Sequence, residues 1–140
     1  MYKIIHQDYG IKLIFSGIIY RPEMERWLHE SKEELSGLPE EFSVFVDMRD
    51  IELLPADSQE AMKEGQIYYK NQGMIRSVVI FKADITSKQF KIFAKKTGII
   101  YGERYINATE NENWEEEGLN WIIKGIEPTI KNEFPIFNEN

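Results

Sequence analysis

Apolar positions along this chain alternate between two periods, and the alternation predicts its elements. Tyr2–Tyr9 and Ile11–Ile19 are rich in Ile, Tyr and Phe and joined through Asp8-Tyr9-Gly10, which predicts two strands in an antiparallel hairpin. Pro22 then stands where a first helical turn tolerates proline, and Met24, Trp27, Leu28 and Leu35 follow at helical spacing until Gly37. Phe42–Met48 is a near-continuous apolar run, the pattern of a strand covered on both faces. From about Pro55 to Asn71, Ser58, Ala61, Met62, Gly65, Tyr68 and Tyr69 share one helical face, with Asp57 and Glu60 spaced as a capping box. Met74–Phe81 predicts a second interior strand. Thr86 and Gln89 cap a helix that carries Phe90, Phe93 and Ala94 and stops at Gly98. Arg104–Ala108 predicts a last strand and Asn111–Lys124 a last helix, closed by Gly125.

The predicted order is β-β-α-β-α-β-α-β-α. Strands separated by single helices must run parallel with right-handed crossovers, while the opening hairpin adds one antiparallel edge. The expected fold is therefore α/β, a mostly parallel five-stranded sheet in one domain over residues 1–126. Residues 127–140, with Pro128 and Pro135, lack periodicity and read as a tail.

A chain of 140 residues is long enough to bury roughly two-thirds of the surface it exposes when unfolded. Its net charge of -7 argues against nucleic acid as a partner, because phosphate binding needs a concentrated basic surface. The absence of cysteine excludes disulfides, thiol catalysis and cysteine-ligated metals. No apolar run approaches the roughly 20 residues needed to span a bilayer, and MYKIIHQDYG lacks the pattern of a signal peptide. A cytoplasmic protein is the expectation.

The stretches FSVFVDMRDI, PADSQEAM to YYKNQG, RSVVIF, QFKIFAKKTGI and ERYINA, in that order over residues 2–124, resemble the STAS domain and, more narrowly, the SpoIIAA-like stand-alone bacterial proteins. The resemblance implies a regulatory module that binds a protein partner through the loop after the third strand and the first turns of the next helix. In anti-sigma-factor antagonists that helix opens on a phosphorylated serine. Laid without gaps, this chain places Asp57 at the phosphoacceptor and Ser58 one position later. A single carboxylate has neither the charge nor the three oxygens of a phosphate, so the resemblance implies an interaction surface around Leu54, Asp57, Ser58 and Met62 without a kinase switch. SpoIIAA-like proteins also resemble the lipid-carrying Sec14 type, which makes a small apolar ligand the alternative.

Open α/β sheets usually bind ligands at the carboxyl ends of their parallel strands. There the sequence places Asp47, Arg49 and Asp50 after the third strand, Asp84 after the fourth and Asn107 at the end of the fifth. Paired carboxylates could hold a hard cation or divide acid and base roles between them; the structural alternative has Asp47 and Asp84 pairing with Arg49 or Lys82. A hydrolase built on Asp47 and Asp84 is the weakest reading. His6 and His29 fall on different elements, and no nucleophile-elbow motif accompanies Ser16 or Ser58. No metal, cofactor or complete catalytic constellation is indicated. Arg76 and Arg104, near strand starts, read as partners of Glu103 or of helix C-termini. An edge strand is compatible with a homodimer, although no residue compels one.

Overall fold

In the computed structural model, the described residues are 1–82 and 102–129. They form β1 (Tyr2–Gln7), β2 (Gly10–Ile18), α1 (Arg21–Glu34) with a 3-10 turn at Leu35–Gly37, β3 (Phe42–Leu53), α2 (Ala56–Asn71), β4 (Met74–Phe81), β5 (Glu103–Asn107) and α3 (Trp114–Lys124). The strands lie in the spatial order β1-β2-β3-β4-β5; β1 pairs with β2 antiparallel, and every later pair is parallel. The expected five-stranded mixed sheet is therefore present. The helix expected over Thr86–Gly98 lies outside the described residues.

Side-chain alternation divides the sheet between two cores. Leu13, Phe15, Val44, Val46, Met48, Val79, Phe81 and Tyr105 point to the face covered by α1 and α2, where they meet Met24, Trp27, Ala61, Met62 and Tyr69. Phe45, Val78, Ile80 and Ile106 point to the other face and meet Trp121 and Ile122 of α3. Full burial of side chains this size contributes about 1.5–3 kcal/mol each. Trp27 anchors the larger core, edge-on to Phe15 and stacked on Tyr69. Adjacent tyrosines on α2 divide as the helical period requires. Tyr69 is buried and hydrogen-bonded to Ser31, whereas half-buried Tyr68 carries Lys32 over its ring.

The docking of α3 is polar at one end. Arg76 donates to the carbonyls of Ile122 and Ile123, and Ser43 Oγ donates to that of Ile122, so the sheet satisfies carbonyls at the end of this helix. Arg104 lies 4.1 Å over the Trp121 ring and pairs with Glu127. Beyond Gly125, the chain turns back along α3 to Thr129, whose backbone N–H donates to Glu117. Pro128 is buried on that path. The start of the expected tail is thus packed against the domain.

Three local expectations need correction. First, β3 does not end at Met48. It continues to Leu53 because β2 still offers it a pairing edge, with register irregularities between Ile14 and Ser16 and between Gly17 and Ile18. Second, Asp57 and Glu60 form no capping box: the N-cap is Pro55, no side chain caps it, and Asp57 sits in the first turn. Third, the last helix starts at Trp114, since Asn111 Oδ1 accepts the N–H of Asn113 in a turn that delays it.

Candidate functional site

At the carboxyl ends of the strands, the expected crevice residues that are described, Asp47, Arg49, Asp50 and Asn107, do not all converge. Asp47 is buried within β3, where Arg49 grips it with Nε to Oδ1 at 3.0 Å, Nη2 to Oδ2 at 2.9 Å and its backbone N–H to Oδ1 at 3.1 Å. The Arg49 guanidinium lies 4.0 Å over the ring of Trp114. Burial pushes the Asp47 carboxyl up, but the Arg49 hydrogen bonds outweigh it and hold the group below its ordinary range. The carboxylate is thus committed to its own strand. Asp50 is exposed and Asp84 lies outside the described residues. Asn107 is buried on the opposite face of the sheet from Asp47, beyond Tyr105, and accepts the N–H of Thr109.

The expected interaction surface is narrower than its four residues. Leu54, Ser58 and Met62 are buried and shape it from beneath; only Asp57 is exposed. Ser58 is fully buried, so its hydroxyl is closed to a kinase in this conformation. Arg21 Nη1 donates to the Asp57 carbonyl at 2.9 Å, tying the start of α1 to the first turn of α2. Beside this tie, Ile18 and Leu53 are register partners, 40% and 42% exposed, and Tyr20 follows at 60%. Asp50, Glu52 and Asp57, close to Leu53 along the chain, are exposed as well. The sequence shows the acidic residues but hides the apolar pair, because Leu53 lies beyond the apolar run Phe42–Met48 and meets Ile18 only through the continuation of β3.

A second polar cluster lies inside the larger core. Between α2 and the sheet is a cavity of about 30 Å³ lined by Trp27, Met48, Met62, Gln66, Tyr69, Met74, Glu103 and Tyr105, among others. That is room for one or two waters, and not for a lipid. Glu103 is fully buried on its wall, accepting from Ser77 Oγ at 2.9 Å and Tyr105 hydroxyl at 2.6 Å. Burial raises its pKa, opposed by those two hydrogen bonds. Gln66 Oε1, also on the wall, is buried without a hydrogen-bond partner. The sequence offers Glu103, or else helix C-termini, as partners for Arg76 and Arg104, and the expected strand starts one residue later than β5, at Arg104. The available signal was period two: with Tyr105 inward, Glu103 must face inward as well. Among the described residues, no three His, Asp or Glu side chains gather as metal ligands, and no helix is long and apolar enough to cross a membrane.

Comparison with solved structures identifies the architecture. The crystal structure of an uncharacterised protein of the DUF3478 family from Shewanella loihica, described as having a SpoIIAA-like fold, superposes with a TM-score of 0.61 over 87% of this chain and 92% of its own. The two are 12% identical, so the likeness is one of fold. No family model matches the sequence, and no curated protein does. This chain is an α/β protein of SpoIIAA-like fold.

Proposed function

We propose that the protein is a non-catalytic regulatory module that docks a protein partner at the end of the sheet formed by β2, β3 and the first turn of α2. One observation carries this reading. Ile18 and Leu53 stand exposed side by side, with exposed Tyr20 two residues after Ile18 and exposed Asp50, Glu52 and Asp57 close to Leu53 along the chain. Scattered apolar residues need no explanation, but a contiguous apolar group with a charged rim is the form of an interaction patch. Its complement is an apolar segment flanked by basic residues, in keeping with the net charge of -7. The commitment of Asp47 to Arg49 favours a binding role for this end of the sheet over a hydrolytic one.

The test compares partners retained from a cell extract by the wild type, by Leu53→Glu with Asp57→Lys, and by the distant control Ile75→Glu. A partner kept by wild type and control but lost by the double variant is expected. An unchanged set across all three proteins would rule out this surface.

A further inference from the structure

The cavity between α2 and the sheet carries two buried acceptors, Glu103 and Gln66 Oε1, and one buried donor without a partner, the indole N–H of Trp27. Glu103 accepts from the Ser77 and Tyr105 hydroxyls, the Gln66 carbonyl is an acceptor without a donor, and among the described residues no cation compensates Glu103. The remaining walls are apolar or aromatic: Trp27 and Tyr69 stack at one side, and Met48, Met62 and Met74 are flexible enough to repack. A buried carboxyl without a cation and a buried carbonyl without a donor are both costly, and one group that is at once cationic and a multiple donor would relieve both.

We propose that this cavity is a binding site for the ammonium head of a small primary amine, taken up between the Glu103 carboxylate and the Gln66 carbonyl. An ammonium is about the size of a water molecule, which the cavity admits, and offers three donors to its two acceptors. The aromatic rings around it favour a cation further. Among the thirteen lining residues only Gln66 and Met74 are not buried, and in the proposed complex the amine's apolar body accordingly lies on their side of the cavity. Wherever Glu103 is neutral in the free protein, binding ionises it and releases one proton to the buffer. The inference stands independently of the proposed docking surface, which lies on the other side of α2's first turn.

The test uses the whole protein with n-butylammonium, 1-butanol and butyrate as probes, following the indole N–H resonance of Trp27 by NMR and the melting temperature. Butylammonium is expected to shift the Trp27 resonance saturably and to bind at least about tenfold more tightly than 1-butanol, a difference of about 1.4 kcal/mol. Glu103→Gln, close to isosteric, should remove that preference. Equal responses to amine and alcohol would overturn the proposal, as would an unchanged amine affinity in Glu103→Gln. The wild-type titration decides even should the variant fold poorly: a Trp27 resonance unmoved at the solubility limit of the amine refutes the site.

Discussion

Gly65 of α2 lies directly against the indole ring of Trp27 on α1, and a Cβ at that position would collide with the six-membered ring. The glycine sets how closely the two helices approach, and Trp27 in turn fixes Phe15 and Tyr69. Alanine is the better helix former by about 1 kcal/mol, which alone would favour Gly65→Ala. The ring is 1% exposed, with Phe15 edge-on and Tyr69 stacked against it, so the small cavity that it lines is the space left for it to shift into. Overpacking of this sort costs about 1–3 kcal/mol, and more where the neighbour is rigid. Gly65→Ala is therefore expected to lower stability by about 1–2 kcal/mol net in urea unfolding. An unchanged midpoint would show that α2 can move off Trp27 freely.

Asp47 and Arg49 make a different kind of prediction, because their partnership titrates. The folded Asp47 carboxyl is held below its ordinary value, so its contribution is present above about pH 4, the unfolded value, and is lost as pH falls through the folded one. Asp47→Asn keeps the size but surrenders the charge-assisted bonds. It is expected to cost about 1–3 kcal/mol at pH 7, with the gap closing on acidification. Equal stability at neutral pH would mean that stacking on Trp114 alone holds Arg49. The same variant bears on function, since a hydrolase using Asp47 would lose its turnover altogether.

The fold was more legible in the sequence than the sites were. Val44–Val46 and Val78–Phe81 are apolar at consecutive positions, as a doubly covered strand requires, and Gly73 and Gly125 stop helices at positive φ. Pairing and capping were harder to read. The continuation of β3 through Arg49 to Leu53 depends on the edge that β2 presents, a tertiary fact that a run of charged residues conceals. Asp57 and Glu60 have the spacing of a cap, yet Pro55 already occupies the cap position. Placement on opposite faces of the sheet separates Asp47 from Asn107, and nothing local in the sequence records the face of a strand end. Glu103 shows the converse: its inward register was readable, but its acidic character suggested the surface.

Burial separates Met62, which the sequence placed on the interaction surface, from Leu53, which the structure exposes. Met62, on the inner face of α2, is 3% exposed, whereas Leu53 at the end of β3 is 42% exposed. A glutamate at Met62 must take a charge into the core or unfold its surroundings, and Met62→Glu should cost at least about 3 kcal/mol. Leu53→Glu, in solvent, should stay within about 0.5 kcal/mol of the wild type. Thermal unfolding of the two variants checks this contrast directly. Loss of a partner by Leu53→Glu then reports on docking, and the same loss by Met62→Glu reports only on folding.

Glu103 offers the sharpest test of the interior, because its sign is opposite to that of Asp47. Burial raises its folded pKa against the hydrogen bonds from Tyr105 and Ser77, so the folded chain holds a proton that the unfolded chain releases. Between the unfolded value near 4.3 and the raised folded value, the native state binds more protons, and stability falls as pH rises. Glu103→Gln removes this titration while retaining a carbonyl to accept from one of the two hydroxyls. Below about pH 4 the wild type and the variant differ only through hydrogen bonding. Above that, the wild type weakens and the variant does not, so their difference in melting temperature should move steadily in favour of Glu103→Gln until the folded carboxyl ionises. Parallel profiles from pH 4 to 8 would show that Glu103 titrates in the folded protein as it does in the unfolded chain. A bound amine would reverse the trend in the wild type alone: the ionised carboxylate then gains its missing cation, and the decline with pH is offset by ligand binding.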